Sequence, residues 1–561
     1  MLPFAAELKL NNPLENINRQ NSAAYAGSFY HRFSQRSKDL KTIFDAVMSI
    51  CDVHIYDRYK NSIDINYRFP NNYEPFIVGS LPPDKIDIAY KGHTYGINLN
   101  TVKTSESMFS RRVFELLGSG TVTISNESTG IRYLFGDLVI TSDNCLQIRR
   151  RLQELVDNPI LRYKVALAGV RKVMLEHTYS HRLDRIRSIV FGVPQKKHSL
   201  PSLCVVAKVC SVAELIRIQQ MLIVQEQVDW RALIMIDDRV DLALIKQQTL
   251  PDERINYMTE DIATKQILAA LLEDEEWVAG WHVEDYYGPN YLLDLILGTL
   301  YSDALVLGKA AFFCVSSYGP ALLNQKAVYR PMEQVRARCA VLSAKRLFVI
   351  TVSEWLDLVV SGNVLPDAMA NGALSLDALS YCQDAWRLGW TYSNVSALVD
   401  LLEIDTGHNI DDLYAKADAI PVHIPSWLGK SSWRLENLAQ TFGICDEASP
   451  LHCKLDKFGL HLVSEIPDGN HSFIWAVNAV SIVELGGQNA LKFHVVEGPG
   501  LSINLMVKFE TERGGLVSEE MFETNQNQEW HVPSGATNVR LGFRVYSSGT
   551  TRIMRFMLCW L

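Results

Sequence analysis

The stretch that most constrains the fold is residues 97–125, which read INLNTVKTSESMFSRRVFELLGSGTVTIS. Both ends of this stretch alternate apolar and polar residues, a period of two that predicts β-strands. Between them, apolar side chains recur at helical spacing and define one helix face: Phe109, Val113, Leu116 and Leu117. Ser105 is the predicted N-cap of this helix, and Gly118 and Gly120 are predicted to end it. A strand, a helix and a second strand in this order predict a parallel α/β sheet, whose ligands bind beyond the carboxyl ends of the strands.

The same alternation of strands and helices extends over residues 1–195. Strands are predicted at residues 24–28, 53–56 and 137–141, and helices at 36–49, 145–155 and 160–175. Repeated strand and helix units of this kind predict one domain that is built on a parallel sheet.

This region carries a family resemblance. The segment that begins at Ser105 reads S-x-x-M-F-x-R-R-V-F-E-x-L-x-x-G-T, and it resembles the donor-binding region of CgeB-like glycosyltransferases, GT-B enzymes first named from spore-maturation proteins. Further blocks agree in the same order, at residues 2–6, 25–30, 55–58, 90–91, 135–137 and 176–179. The resemblance covers residues 1–192 and implies that residues 1–195 form the Rossmann-like, donor-binding half of a GT-B enzyme.

The resemblance also implies a nucleotide-sugar donor, UDP- or GDP-linked, and residues that hold it. Glu115 would bind the ribose hydroxyls, while Arg111 and Arg112 would neutralise the diphosphate. The other implied donor-binding residues are Gly27, Ser28, Tyr90, Lys91 and Ser107. Residue spacing alone supports a different interpretation, in which Glu115 forms an i, i+4 ion pair with Arg111 on an exposed helix face.

A GT-B enzyme has two such halves, and the acceptor-binding half would precede Leu2. We therefore expect that the chain is shortened at its front, that this half has been dispensed with, or that another glycosyltransferase subunit supplies it. The acceptor implied by the resemblance is a glycan or a polysaccharide.

Residues 200–430 form the predicted second domain. Strands are predicted at residues 203–209, 231–236 and 277–281, with helices at 211–225 and 261–273 and mixed helix and loop from 310 onward. The block that begins at His282 resembles GT-A, family-2-like glycosyltransferases, but reads H-V-E-D where those enzymes carry D-x-D. The domain is therefore expected to be GT-A-like and to be degenerate if the lost motif is essential.

The GT-A resemblance implies a second set of site residues. Asp237 and Asp238 would contact the donor, and an acidic turn explains them equally well. His282, Glu284 and Asp285 are candidate ligands for Mn²⁺ or Mg²⁺, with His282 and Glu284 expected on one strand face because strand side chains alternate. Glu284 and Asp285 are also the candidate catalytic residues.

Residues 436–561 form the predicted third domain, an all-β sandwich. Alternating stretches at 502–509 and 539–546 are separated by glycine-rich turns, which is the pattern of such a fold. The domain looks like a carbohydrate-binding module. Three tryptophans are candidate platforms for sugar rings, with core packing as the alternative: Trp475, Trp530 and Trp560.

Charge, cysteines and hydropathy limit the partners and the compartment. A net charge of -9 argues against nucleic acid as the main partner, because phosphate backbones are bound by excess basic residues. The ten cysteines form no C-x-x-C pair, which favours thiols in a reducing cytoplasm. The N-terminus lacks the features of a signal peptide, and no run approaches the ~20 apolar residues of a membrane span.

The leading functional hypothesis is a hexosyltransferase-type enzyme that moves a sugar from a nucleotide-sugar donor to a glycan acceptor. The alternative is a catalytically degenerate glycan-binding or scaffold protein of a surface-polysaccharide or spore assembly system. The sequence predicts an α/β multidomain protein in both cases, with a Rossmann-like half, a GT-A-like domain and a β-sandwich in that order.

Overall fold

The structure is a computed structural model of the 561-residue chain. It describes all residues except 1, 16–17, 63, 195–198, 239–250, 348–349, 387–388, 402–403, 420–432, 435–449, 457–458, 483–489, 499 and 561. The chain divides into two compact units, Met1–Asp418 and Ala419–Leu561. Across the described part of the chain, no helix has the length and apolar character needed to cross a lipid bilayer.

The first sheet of the Met1–Asp418 unit has six strands, all parallel, in the order β3-β2-β1-β4-β5-β6. Its strands are β1 (Gln20–Gly27), β2 (Val53–Asp57), β3 (Ile77–Gly79), β4 (His93–Asn98), β5 (Val122–Ser125) and β6 (Val139–Thr141). The associated helices are α1 (Ser34–Met48), α2 (Asp87–Lys91), α3 (Arg112–Gly118), α4 (Thr129–Phe135), α5 (Cys145–Asp157), α6 (Pro159–Glu176) and α7 (Tyr179–Phe191). This order reverses between β1 and β4, as in a Rossmann-like sheet.

Helix α3 begins later than its sequence predicts. The helix starts at Arg112 and not at Ser105, and residues 105–110 form a turn in front of it. The Ser105 Oγ accepts hydrogen bonds from the backbone N–H groups of Ser107 and Met108, so it stabilises the turn and not the helix. The Asn100 side chain accepts from the Ser110 N–H, which ties this turn to the end of β4. The predicted apolar face is correct, because its four residues are all buried.

The second sheet of this unit has eight strands in the order β15-β17-β12-β16-β10-β7-β8-β9. Its strands are β7 (Leu203–Val209), β8 (Trp230–Ile236), β9 (Ile255–Thr259), β10 (Trp277–Trp281), β12 (Val306–Gly308), β15 (Pro331–Met332), β16 (Ala340–Ser343) and β17 (Ala373–Ser375). A four-stranded sheet beside it contains β11 (Tyr286–Tyr287), β13 (Phe312–Ser316), β14 (Gly319–Leu323) and β18 (Tyr381–Gln383). Strands β7 to β10 are mutually parallel, whereas β16 runs antiparallel between β10 and β12.

The helices of this region are α8 (Val212–Ile223), α9 (Glu260–Lys265), α10 (Tyr291–Leu297), α11 (Val352–Ser361), α12 (Asp367–Ala370), α13 (Tyr392–Val399) and α14 (Ile410–Asp418). Two predictions were wrong here. The helix predicted at 261–273 is the short α9 followed by a 3-10 turn, and residues after 310 contribute six strands where mixed helix and loop was predicted. Short strands paired over long sequence distances leave little local periodicity, which explains the second error.

Buried charges join the two sheets of the first unit. Arg171 of α6 donates two hydrogen bonds to Asp294 of α10, at 2.6 and 2.8 Å. Lys309 lies 3.8 Å from the same carboxylate and 2.8 Å from Asp377. All four side chains are buried, and buried charges are tolerated only when they are paired in this way. These ion pairs therefore hold the first sheet and the second sheet together in one compact unit.

The end of the first unit returns to the first sheet. The His408 ring stacks on Tyr133 of α4, with ring centroids 4.3 Å apart. From α14, apolar side chains join the core around Phe109 and Phe135: Ile410, Leu413 and Tyr414. Helix α14 therefore completes the core beside α3 and α4.

The Ala419–Leu561 unit is a β-sandwich of antiparallel strands. One sheet has the order β20-β21-β29-β24-β27, with β19 paired to β29, and the other has the order β22-β28-β25-β26, with β23 paired to β28. The strands are β19 (Trp433–Arg434), β20 (Leu451–Asp456), β21 (Gly459–Glu465), β22 (His471–Trp475), β23 (Val480–Ser481), β24 (Ala490–Glu497), β25 (Ile503–Glu510), β26 (Leu516–Glu523), β27 (Asn527–His531), β28 (Asn538–Tyr546) and β29 (Ser548–Trp560). The core lies between the two sheets.

The predicted fold class is confirmed: a parallel Rossmann-like sheet comes first, further α/β structure follows, and antiparallel sheets form the C-terminal part. The predicted domain boundaries at residues 195, 200, 430 and 436 stay predictions. The structure separates its two compact units between residues 418 and 419.

Candidate functional site

The reversal of strand order places a crevice at the carboxyl ends of β1 and β4. Crossover connections leave in opposite directions from these neighbouring strands, so the space above their ends is open to a ligand. Several polar groups of this edge bind one another. The Asn98 and Asn100 side chains both donate to the Ser125 Oγ, and the Asn126 side chain donates to the buried Asp39. These amides set the positions of the loops around the crevice.

Arg112, the first residue of α3, connects the helix to the end of β1. Its guanidinium donates to the Ala26 carbonyl at 2.5 Å and lies 5.6 Å from the centroid of the Tyr25 ring. Its Nε is buried and has no hydrogen-bond partner among the described residues. Arg112 therefore brings positive charge to the edge of the sheet while part of its donor capacity stays unused.

Glu115 lies one turn further along α3 and already has two partners. Arg111 lies 3.1 Å from one carboxylate oxygen, so the i, i+4 ion pair that the spacing predicted is present. The Tyr90 hydroxyl donates to the other oxygen at 3.1 Å. Burial raises the pKa of Tyr90, which keeps this phenol protonated and able to donate. The Glu115 side chain is 14% exposed and that of Arg111 is 63% exposed, so Arg111 is the partner that a ligand can displace.

Arg36 of α1 approaches the crevice from the other side. It donates to the Leu99 carbonyl at 3.0 Å and lies 3.5 Å from the Tyr25 hydroxyl. It lines a cavity of about 270 Å³ at the end of β4, together with Thr101 and Ser110. Arg36 and Arg112 therefore flank Tyr25 and make this end of the crevice electropositive.

Gly27 and Ser28 end β1, and the structure assigns them different surroundings. A Cβ on Gly27 would meet the Tyr25 ring at 2.7 Å, so the missing side chain makes room for that ring. The Ser28 Oγ is buried and has no hydrogen-bond partner among the described residues. A buried hydroxyl without a partner is costly, and a ligand oxygen above the end of β1 would satisfy it.

Asp57 ends β2 and lies directly beside Gly27 in the strand register. Its carboxylate accepts from the Tyr59 N–H at 2.9 Å, and burial raises its pKa. A carboxylate at this position of a Rossmann-like sheet can accept hydrogen bonds from ribose hydroxyls.

Two of the predicted donor-binding residues lie apart from this cluster. Lys91 is 5% exposed and donates to the Asn12 side chain at 2.9 Å, and burial lowers its pKa to about 8. Its ammonium is therefore engaged by Asn12. Ser107 lies in the half-buried turn before α3, where its N–H donates to Ser105.

A cavity of about 520 Å³ opens at the opposite, amino-terminal edge of the first sheet, beside Asn21, Thr94 and Val122. It is larger than the cavity at Arg36, and neither cavity is lined by any of the predicted donor-binding residues. Ligands of open α/β sheets bind at the carboxyl ends of the strands, so the smaller cavity marks the candidate site.

In the second sheet, the H-V-E-D segment is a turn and not a strand. Strand β10 ends at Trp281, so the expectation that His282 and Glu284 share a strand face was wrong. Asp285 is fully buried. Its oxygens accept from the Tyr381 hydroxyl at 2.7 Å and from the Asp384 N–H at 3.0 Å, and Arg338 lies at 3.4 Å.

Burial raises the pKa of Asp285 to about 6, against the opposing effect of Arg338. Glu284 is directed elsewhere, toward Arg217 at 3.4 Å. A metal ligand set needs several convergent oxygen or nitrogen donors, but the nearest charged group to Asp285 is a guanidinium. In the described residues, no group of three His, Cys, Asp or Glu side chains is arranged to hold a metal. The residues present therefore do not fit the Mn²⁺ or Mg²⁺ that the GT-A resemblance implies.

Asp237 and Asp238 follow β8 at the same edge of the second sheet, two strands from the end of β10. Asp237 is buried, and its N–H donates to the Val209 carbonyl at 3.0 Å, whereas Asp238 is exposed. The structure thus places the predicted second-sheet residues along one edge without bringing them into one cluster.

Sequence reasoning missed Arg36 and Asp57 as site residues. Both carried a usable signal, because Arg36 opens the helix after β1 and Asp57 ends the next strand. Parallel strands bring such positions to one edge of the sheet.

One comparison with known proteins covers part of the first sheet. A protein-family model described as glycosyl transferase-like matches residues 52–188, which include Asp57, Tyr90, Arg112 and Glu115. The chain thus contains a glycosyl transferase-like domain, consistent with the GT-B type of sheet. A search of curated proteins found no significant match.

Solved structures show weak likenesses. An accessory secretory protein structure from Streptococcus pneumoniae is 8% identical, covering 20% of this chain and 88% of that chain, with a TM-score of 0.16. A glycosylation-associated protein complex from Streptococcus agalactiae is 11% identical over 21% of this chain and 23% of that chain, at a TM-score of 0.17. An α1,3-fucosyltransferase structure is 12% identical, covering 32% of this chain and 46% of that chain, with a TM-score of 0.19. TM-scores this low do not establish a shared fold.

Proposed function

We propose that the protein is a glycosyltransferase of the hexosyl-transferring type and that the crevice at the ends of β1 and β4 binds its nucleotide-sugar donor. One observation carries this proposal: Arg36, Arg112 and Glu115 converge on Tyr25 and Tyr90 at the strand-order reversal of a glycosyl transferase-like domain. The donor would be a UDP- or GDP-sugar, and the acceptor a hydroxyl group of a glycan.

The proposed roles follow from charge and hydrogen-bonding capacity. Arg36 and Arg112 would neutralise the diphosphate, since one guanidinium group can donate two parallel hydrogen bonds to a phosphate. The Ser28 hydroxyl would donate to a diphosphate oxygen. Glu115 would accept from the ribose hydroxyls once Arg111 turns toward solvent, with Asp57 as the other carboxylate at this edge.

Catalysis in this proposal is mainly positioning and electrostatic stabilisation. Cleavage of the sugar–phosphate bond leaves negative charge on the departing diphosphate, which the two arginines would stabilise. The residues that line the cavity at Arg36 all lie between residues 36 and 110, within the first sheet and its connections. We therefore propose that a partner glycosyltransferase subunit or domain supplies the acceptor side. The reaction would take place in the cytoplasm.

A second candidate function is a glycan-binding or scaffold protein without transferase activity. The observation that favours it is the complete engagement of Asp285 by Tyr381, Asp384 and Arg338 in the second sheet. If the donor crevice is also inactive, both α/β sheets serve as structural platforms.

Isothermal titration calorimetry of the full chain with UDP and with GDP, each with and without Mn²⁺, tests the proposal. We expect one nucleotide to bind, and Arg36→Gln to weaken that binding about tenfold, since it removes a charge-assisted contact. Arg149→Gln is the matched control, because Arg149 is an exposed arginine of α5 outside the crevice. Failure of both nucleotides to bind under all conditions would overturn the donor site and favour the scaffold function.

A further inference from the structure

The β-sandwich carries an aromatic surface on the outer face of one sheet. Along β22, Ile474 points into the core, whereas the residues on either side of it, Phe473 and Trp475, point outward. Phe473 is 39% exposed. The two rings are nearly parallel, with planes inclined by 17° and centroids 6.2 Å apart, so they form one continuous apolar area.

Gly542 of the neighbouring strand β28 lies opposite Trp475 in the register. A Cβ at Gly542 would meet three carbons of the indole ring at 2.5 to 2.8 Å. Three adjacent ring atoms at such similar distances mean that the ring lies flat across the backbone of the sheet. A glycine inside a strand is otherwise unfavourable, and here it allows the close approach of the ring. The outer face of Trp475 is consequently parallel to the sheet, and so is that of Phe473.

Hydrogen-bond donors border this flat area. The Arg544 guanidinium lies 5.6 Å from the Phe473 centroid and 5.0 Å from that of Tyr546. In the described part of the chain, no carboxylate lies within ion-pair distance of Arg544, whose Nη1 is 3.8 Å from the Met521 sulfur. The Lys508 ammonium lies over the face of the Trp475 ring, 3.7 Å from its centroid, and is a donor that can turn toward a ligand.

Acceptors border the same area. Glu519 lies 3.8 Å from Lys508, a loose contact that leaves its carboxylate able to accept from a ligand. A flat apolar platform with both donors and acceptors at its border matches the chemistry of a sugar ring, which has apolar C–H faces and a rim of hydroxyl groups. A nucleic acid would also stack on the rings, but its phosphates would meet the carboxylates of this face.

We infer that this surface, formed by Phe473, Trp475, Tyr546, Lys508 and Arg544, binds an uncharged, hydroxyl-rich glycan chain. A sugar ring stacks on Phe473, and the next one takes the face of Trp475 as Lys508 turns to donate to a hydroxyl or ring oxygen. Arg544 donates to hydroxyl groups at the border. The inference does not depend on the donor crevice of the first unit.

Affinity electrophoresis of the full chain tests this site with neutral polysaccharides as probes: laminarin, xylan, mannan and dextran. Polygalacturonate and single-stranded oligodeoxythymidine are the charged comparison probes. We expect at least one neutral polysaccharide to retard the protein, and Phe473→Ala to weaken that binding about tenfold because a stacking surface is lost. Tyr318→Ala is the matched control, since Tyr318 is a 99% exposed aromatic residue of the first unit.

Trp475→Ala is a second variant with the same expected loss, and thermal unfolding shows whether each variant is folded. The inference is overturned if no neutral polysaccharide retards the protein, if only a charged probe does, or if folded Phe473→Ala binds like the wild type. UDP and GDP titrations of Phe473→Ala separate the two proposals, because nucleotide binding stays unchanged if the glycan site is independent.

Discussion

The carboxyl edges of the two α/β sheets differ in how their polar groups are engaged. At the first edge, Arg111 is exposed, and the buried Ser28 hydroxyl has no partner among the described residues. At the second edge, the buried Asp285 carboxylate is held by a hydroxyl, a backbone N–H and a guanidinium. The first edge thus retains capacity to bind a ligand, whereas the second has used its capacity internally.

This difference shows why acidic residues at a strand end do not by themselves define a site. Glu115 and Asp285 are both predicted site residues, and both have cationic neighbours. The cation beside Glu115 is exposed and can move, but Arg338 is buried together with the carboxylate it neutralises. Perturbed carboxylates occur at structural ion pairs as well as at active sites.

The largest expected effect is the destabilisation caused by Asp285→Ala. This change leaves Arg338 and the Tyr381 hydroxyl buried without their partner, and we expect the free energy of unfolding to fall by about 4 kcal/mol. Urea unfolding measures this change. Glu284→Ala is the control, because its side chain is 42% exposed and its surface ion pair contributes about 0–1 kcal/mol. Equal stabilities of the two variants would remove the distinction between the two edges.

The pH dependence of stability tests the same carboxyl. Its pKa is raised from 3.8 to about 6, so between these values the native state holds a proton that the unfolded state has released. The contribution of Asp285 to the free energy of unfolding is therefore fully present below pH 3.8. It is lost as the pH rises through about 6, and the loss is on the order of 2 to 3 kcal/mol.

Asp285→Asn keeps a hydrogen-bonding side chain but cannot ionise. We therefore expect the free energy of unfolding of this variant to show no such decrease between pH 3.8 and about 6. Urea unfolding of the variant and of the wild type at several pH values in this interval measures the difference. Burial also raises the pKa of Asp400 to about 6. Because Asp400 is present in both proteins, its contribution to the pH dependence cancels in the comparison. Parallel pH profiles would show that Asp285 does not titrate in this interval.

Glu115→Ala probes the first edge, where we expect a loss of binding with little loss of stability. Removing the proposed ribose acceptor weakens nucleotide binding about tenfold, which corresponds to about 1.4 kcal/mol. The stability change stays below about 1 kcal/mol, since one partner of Glu115 is exposed. Calorimetry and urea unfolding measure the two quantities. Glu154→Ala, which disrupts an exposed ion pair on α5, is the control that leaves binding intact.

The smallest expected effect belongs to Ser28→Ala. Because the buried Ser28 hydroxyl has no partner, removing it keeps the stability unchanged or raises it by up to about 1 kcal/mol. Nucleotide binding should weaken about threefold, the loss of one hydrogen bond of modest net strength. A clear decrease in thermal stability would show that this hydroxyl already has a structural partner.

Much of the fold was predictable from local patterns. The strands Leu203–Val209 and Trp277–Trp281 have the bounds that the sequence predicted, because continuous apolar runs mark strands buried on both faces. Strand and helix periods also indicated the parallel first sheet. The start of α3 was not predictable, since the turn before it depends on Asn100, which approaches from the end of β4.

Less of the candidate site was predictable. A sequence motif identified Arg112 and Glu115, but the same motif could not show that Tyr90 donates to Glu115 or that Lys91 donates to Asn12. Arg36 and Asp57 join the site only because parallel pairing aligns Gly27 with Asp57 and places α1 above the strand ends.

By itself, then, the sequence determined the order of strands and helices, the apolar faces that build the sheets and the glycosyl transferase-like character of the first region. Only the tertiary structure decided which charged residues stay available. Arg338 and Tyr381 lie 53 and 96 residues from Asp285 along the chain, yet they neutralise and bind it. Periodicity reports which face of an element is buried, but the partners of a buried charge come from distant segments, and chain folding alone brings them together.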